Sequence, residues 1–140
     1  MKWPKPLLII ILLPLYFLSC DSKPYPHVLQ LADSLINICP DSAIVLLEQF
    51  KDSTSQESKE TQMYYQLLTI KAKDKAYITH TSDSLMLEVL HYYEKKKDKK
   101  YLPEAYYYAG RVYRDLGDAP QALDYFFKAI KSAKDCTNYR

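Results

Sequence analysis

Few residues in this chain are placed to do chemistry. The three histidines, His27, His80 and His91, are scattered, and no pair falls at a metal-ligand spacing with a cysteine or carboxylate, so a zinc site is not indicated. Gly110 and Gly117 are the only glycines, which leaves no phosphate-cradling loop. Cys39 and Cys136 lack a neighbouring base that would make either a nucleophile. Asp41, Asp83 and Asp118 each stand where a helical pattern begins, and helix capping accounts for them better than acid/base catalysis. We therefore expect no catalytic residue, no metal and no cofactor, and the chain does not read as an enzyme. Lys95 to Lys100, broken only by Asp98, reads as a solvated connection, the alternative being attraction to anionic lipid headgroups. The thiol with a distinctive setting is Cys20. It follows Lys2, Lys5, an apolar run from Leu7 to Leu18 and the small residue Ser19.

That run is 12 residues long and contains Pro14, whereas a membrane-spanning helix needs about 20 apolar residues. A short apolar core behind a basic start is the layout of a secretory signal. Phe17-Leu18-Ser19-Cys20 resembles a lipobox, so residues 1–19 read as a bacterial lipoprotein signal peptide, with cleavage before Cys20 and acylation, such as palmitate, on its thiol. An uncleaved anchor with an incidental cysteine is the competing reading. Acyl chains, each methylene worth roughly 0.8 kcal/mol, would hold the protein on the membrane of the cell envelope, periplasmic or surface side. Lys2 and Lys5 leave with the signal, and the formal net charge then falls from +2 to zero. Nothing in that balance points to nucleic acid. Cys39 and Cys136 lie at opposite ends of the remaining chain and read as buried free thiols rather than a disulfide.

Beyond a tether, residues 20–26, the composition is helical, and one domain over residues 27–136 is expected. Val28, Leu31, Leu35 and Ile38 recur at helical spacing up to Pro40. Pro40-Asp41-Ser42 reads as a turn and cap, followed by a stripe of Ala43, Leu46, Leu47 and Phe50. Lys51 to Lys59 is polar and reads as a loop. A third helix is expected over about Glu60 to Tyr77, with Tyr64, Leu67, Leu68, Ala72 and Ala76 on one side. Thr79 to Asp83 breaks it and caps a fourth, striped by Leu85, Val89 and Tyr92 or Tyr93. Pro103 opens a fifth helix, and Gly117-Asp118-Ala119-Pro120 turns into a sixth that ends near Lys134. The expected fold is all-α, with helix pairs at about 27–51, 60–99 and 103–134.

The last pair carries a repeat pattern. Tyr106, Ala109, Gly110, Tyr113, Gly117-Asp118, Ala122, Phe126 and Ala129 stand at the spacings of a tetratricopeptide repeat (TPR), which they closely resemble. Gly110 and Ala122 occupy the small positions, where the helices of the hairpin approach most closely, and Tyr106, Tyr113 and Phe126 the large ones around them. The first pair resembles the repeat less sharply through Pro40 to Ala43, Leu47 and Phe50, and the middle pair lacks the diagnostic glycine. A lipoprotein signal joined to tyrosine-rich repeats is similar to the exported TPR proteins of Bacteroidetes. The resemblance implies antiparallel helix pairs stacked as a short right-handed solenoid, with the first helix of each pair lining a concave groove.

Groove positions in the family correspond here to Glu104, Tyr107, Arg111, Arg114 and Asp115. Arg111 and Arg114 beside Tyr107 could grip a peptide carboxylate or backbone; an ordinary helix surface laced with ion pairs is the alternative. Tyr107 and Tyr108 cannot share one face, because adjacent helical residues point about 100° apart. The function expected is a membrane-tethered interaction or scaffold module with a protein or peptide partner. The alternative is a sensory or regulatory protein lacking its transmembrane and output domains. Leu123, Phe127 and Ile130 on the last helix have no following helix in this sequence to cover them, which implies self-association or a partner there.

Overall fold

In a computed structural model of the protein, residues 25–137 are described. The expected signal peptide and Cys20 lie outside them. The described residues form six α-helices and no strand: α1 (His27–Ile36), α2 (Pro40–Phe50), α3 (Lys59–Lys75), α4 (Ser84–Lys96), α5 (Leu102–Asp115) and α6 (Ala119–Thr137). The fold is all-α, as expected. Helices α1 and α2, α3 and α4, and α5 and α6 form three hairpins, and the middle hairpin packs on both of its neighbours. Among the described residues no helix is long and apolar enough to cross a membrane.

Local chemistry accounts for the helix starts. Pro40 and Pro103 sit in the first turns of α2 and α5, where a missing N–H costs nothing. The Ser58 hydroxyl accepts the Thr61 N–H at 3.2 Å and caps α3. Asp118 caps α6 through the Gln121 N–H at 3.1 Å. Two of the expected aspartate caps are otherwise employed. Asp41 lies inside the first turn of α2, behind Cys39 at the cap position, and Asp83 accepts the Tyr113 hydroxyl at 2.7 Å instead of an N–H of its own helix.

Helices α3, α4 and α5 end alike. Each closes with a 6→1 hydrogen bond, Ile78 N–H to Lys73 C=O, Asp98 N–H to Tyr93 C=O and Asp118 N–H to Tyr113 C=O, around a left-handed residue: Tyr77 (φ 58°), Lys97 (φ 52°) and Gly117 (φ 81°). Only the last is glycine. Helix α3 therefore stops two residues short of Tyr77, and α4 runs into the lysine stretch as far as Lys96. The expected loop after α2 is a 3-10 turn over Lys51–Gln56.

The core is built from Leu29, Ala32 and Ile36 of α1, Ala43, Leu47 and Phe50 of α2, Met63, Leu67 and Leu68 of α3, Met86, Val89 and Tyr93 of α4, and Ala105, Tyr108 and Val112 of α5. Each large side chain enclosed in this way contributes about 1.5–3 kcal/mol. The buried face of α1 is displaced from the expected stripe, and that of α4 is wider than expected. Val28 and Leu35 are only half-buried and Leu31 and Ile38 are exposed, while Leu29, Ala32 and Ile36 are fully enclosed. In α4 the expected Val89 and Tyr93 are buried, Met86 and Leu90 join them, and Leu85 is exposed. A helix touching both its hairpin partner and the next hairpin must bury more than one stripe, and a single period-3.6 template registers only one of them.

Cys39 is exposed, not buried, with Sγ 3.0 Å from the Ser42 hydroxyl. It sits at the start of α2, outside the hairpin core, and the Ser42 hydroxyl and N–H lower its thiol pKa.

Tyrosines stitch the hairpins together. Tyr25 stacks on Tyr64 at 4.0 Å between ring centroids, and Tyr101 lies 5.2 Å from Tyr64 and 5.5 Å from Tyr93. A second group joins Tyr106, Tyr113 and Tyr125. Such pairs add about 0.5–1.5 kcal/mol each beyond their buried area, which gives many of the 14 tyrosines a structural role.

Candidate interaction surface

The first helices of the three hairpins lie side by side, α3 between α1 and α5, and charged side chains cross both junctions. Lys71 Nζ donates to Asp33 Oδ1 at 2.9 Å and to Glu104 Oε1 at 2.8 Å. It thereby ties α1, α3 and α5 together. The Tyr64 hydroxyl donates to Asp33 Oδ2 at 3.0 Å. Burial alone would lower the Lys71 ammonium, but its bonds to Glu104 and Asp33 outweigh that and hold its pKa above the ordinary lysine value.

One turn further along, Arg111 Nε donates to Asp74 Oδ1 at 2.7 Å. The Asp74 side chain is only 4 % exposed, so it needs this partner. Asp115 accepts from Arg114 Nη2 at 2.6 Å and Nε at 3.1 Å, and its other oxygen meets His80 Nδ1 at 2.9 Å and the His80 N–H at 3.1 Å. Burial alone would raise this carboxyl, but the bonds from Arg114 and His80 prevail and hold its pKa at about 2. These contacts pin the segment from Tyr77 to Asp83 between α3 and α5.

A depression of about 220 Å³ opens here, lined by Asp74, Tyr77, Ile78, Arg111, Arg114 and Asp115. Tyr77 stands 93 % exposed at its rim, and Arg114 keeps 48 % of its side chain open to solvent. Of the three groove residues expected to grip a peptide, Tyr107 is exposed, packed edge-on against Tyr108 and tilted against Phe126. Its neighbour Tyr108 is buried. Arg111 is engaged across the helix junction, as an ion-paired surface predicts, while Arg114 holds a carboxylate and still faces solvent. The positions read as repeat packing behave as follows. Ala122 and Ala129 are buried, Tyr106 and Phe126 half-buried, and Tyr113 stacks on Tyr125. Gly110 faces the Phe126 ring, and a Cβ there would lie 2.5 Å from its Cδ1 and Cε1. The ring, rather than the second helix's backbone, claims the space.

Sequence reasoning passed over Asp33, Lys71, Asp74 and Tyr77, and weighed His80 only as a metal ligand. Two of them left a trace. Lys71 and Asp74 each lie seven residues beyond a buried apolar or aromatic residue of α3, Tyr64 and Leu67, and a charge in an apolar register must find a partner. Tyr77 and His80 are placed by chain geometry alone. Among the described residues, no group of three His, Cys, Asp or Glu side chains gathers as a metal site. No protein-family model, no curated protein and no solved structure matches this chain.

Proposed function

We propose that the protein is a TPR-like interaction module, tethered to a bacterial cell-envelope membrane through an acylated Cys20, that binds a protein or peptide on the surface formed by α3 and α5. The observation carrying this reading is the depression between those helices, where Tyr77 and the half-exposed Arg114 stand on a framework braced by Asp74–Arg111 and Asp115–His80, with the exposed Tyr107 one turn before Arg111 on the same helix. Exposed aromatics beside an arginine are the residue types that anchor protein contacts. The brace has already met the cost of ordering the arginine, which favours binding. Arg114 can offer a carboxylate its remaining donors while two are committed to Asp115. The lipobox-like segment before Cys20 supports the tether, and the spacings from Tyr106 to Ala129 support the repeat assignment.

A photo-crosslinking amino acid at position 77 or 107, in the full chain in the cells that make it, tests the surface. Capture of a defined polypeptide that falls several-fold with Arg114→Ala is expected. If neither position captures a polypeptide, or if capture is indifferent to Arg114, the surface assignment fails.

A further inference from the structure

We propose that the turn between α4 and α5 rests on anionic, phosphate-bearing headgroups of the membrane that holds Cys20, which fixes the end of the molecule that meets the lipid. The inference rests on the acylation proposed for that cysteine. Five lysines, Lys95, Lys96, Lys97, Lys99 and Lys100, crowd the end of α4 and the turn after it, and all five are exposed. Lys95 and Lys96 suit the carbonyl end of α4. Lys97, Lys99 and Lys100 lie beyond that helix.

This turn is fastened to the place where the tether joins the fold. Tyr25 stacks on Tyr64 at 4.0 Å and meets Tyr101 edge-on at 6.2 Å. Tyr101 directly follows Lys100, whose Nζ lies 4.6 Å over the Tyr101 ring. From the other side of the turn, Lys96 Nζ donates to Glu60 Oε2 at 3.2 Å, and the Tyr25 hydroxyl donates to Oε1 of the same carboxylate at 3.4 Å. Both ends of the lysine run therefore close on Tyr25. Cys20 stands five residues before Tyr25 in the sequence. Even a fully extended chain covers at most about 18 Å over that stretch, so acyl chains on Cys20 keep Tyr25, and the lysines fixed around it, close to the headgroup layer.

Charge and residue type suit a lipid surface. Asp98 Oδ1 engages the N–H groups of Lys100 and Tyr101 at 2.9 Å, Glu60 holds Lys96, and the exposed Glu94 accepts the Tyr106 hydroxyl at 2.8 Å. Against these three carboxylates the five lysines keep a formal excess of two. The turn after α2, at the same end, is balanced, with Lys51 and Lys59 against Asp52 and Glu57, and the end of α6 adds Lys131, Lys134 and Asp135. At the far end Lys73, Lys75, Arg111 and Arg114 are matched by Asp74, Asp83, Asp115 and Asp118. The run holds no arginine. Ammonium groups are hydrated point charges that respond to the field of an anionic surface rather than gripping one carboxylate with two donors. That field fades within about 10 Å, and the anchor supplies the proximity it requires. With this end down, Arg114 stands about 20 Å further along α5 than Tyr101, and Tyr77 lies beyond the far end of α3. The surface around Arg114 is then turned away from the bilayer, where a partner can reach it.

The test uses the full chain, purified from the membranes of the cells that make it and reconstituted in vesicles of phosphatidylcholine with or without phosphatidylglycerol. A photo-crosslinking amino acid stands at position 97 in one preparation and at position 77 in another, and mass spectrometry reads both the lipid adducts and the acylation of Cys20. With phosphatidylglycerol present, adducts at position 97 are expected to exceed those at position 77 about tenfold, and to fall about fivefold without it. Lys95→Glu and Lys99→Glu together, both at exposed sites, should bring the same fall with helicity unchanged. Three results on a chain whose Cys20 is acylated would overturn the proposal and leave the anchor standing: equal adducts at the two positions, adducts at position 97 that ignore both lipid charge and the paired substitution, or crosslinks from position 97 to a second copy of the chain in place of lipid. An unmodified Cys20 would overturn the anchor and this proposal together.

Discussion

Replacing Gly110 by alanine sets two effects against each other, and the structure says which partner decides between them. The new Cβ would stand 2.5 Å from Cδ1 and Cε1 and 2.9 Å from Cζ of Phe126, about 1 Å inside ordinary carbon contact. The ring is half-buried and tilts against Tyr107. It has to swing outward and surrender part of the α5–α6 contact. Overpacking of this kind costs about 1–3 kcal/mol, while alanine inside a helix gains about 1 kcal/mol over glycine. The single substitution should therefore be neutral to destabilising by about 2 kcal/mol. With Phe126→Ala already in place the clash is gone, and Gly110→Ala should stabilise by about 1 kcal/mol. The coupling between the two sites isolates the clash at about 1–3 kcal/mol. Urea denaturation of the four proteins of this cycle, in chains beginning at Asp21, would measure it. A coupling below about 0.5 kcal/mol, with alanine stabilising equally in both backgrounds, would show that the ring does not claim the space beside Gly110.

Three further outcomes are expected. Tyr77→Gly should raise stability by about 1 kcal/mol, because a non-glycine residue in the left-handed region carries a steric cost and Tyr77 is too exposed for its ring to repay it; an unchanged or lower denaturation midpoint would contradict the strain argument. Asp115, whose carboxyl is held at about 2 against the usual 3.8, binds its proton more readily in the unfolded chain. Its contribution, at most about 2 kcal/mol, is thus complete above about pH 4 and lost as the pH falls to 2; Asp115→Asn should flatten that part of the stability profile, and identical profiles would exclude the effect. Finally, Cys20→Ser should move the protein from the membrane fraction to the soluble one, since the proposed anchor is acyl chains on that thiol. A variant that stays membrane-bound after losing residues 1–19 would rule that anchor out.

Much of the helical plan was legible because proline, glycine and period-3.6 apolar patterns act locally. Pro40, Pro103 and Gly117-Asp118 mark three of the boundaries through backbone constraints that hold in any surrounding. The pairing of α5 with α6 was legible in the small, buried Ala122 and Ala129, but the glycine expected at a close helix approach makes room for the Phe126 ring instead. The ends of α3 and α4 were not, since Tyr77 and Lys97 occupy the left-handed position without the residue that advertises it. At Tyr77 a local penalty of about 1–2 kcal/mol is borne because the segment that follows seats Asp83 and His80 against α5.

The surface around Arg114 divides in the same way. Sequence alone placed Tyr107, Arg111 and Arg114 on neighbouring turns of one helix, which the 3.6-residue period guarantees. What those arginines hold depends on Asp74, 37 residues before Arg111, and on the bridge from His80 to Asp115, 35 residues apart. Pairings at that separation depend on how hairpins dock. Likewise, periodicity identified Val28, Leu31, Leu35 and Ile38 as one apolar stripe of α1, but only packing determined that Leu29, Ala32 and Ile36 would be enclosed and that stripe left partly open. A helix with two apolar faces can bury either, and the choice is made by the contact area the neighbouring helix offers.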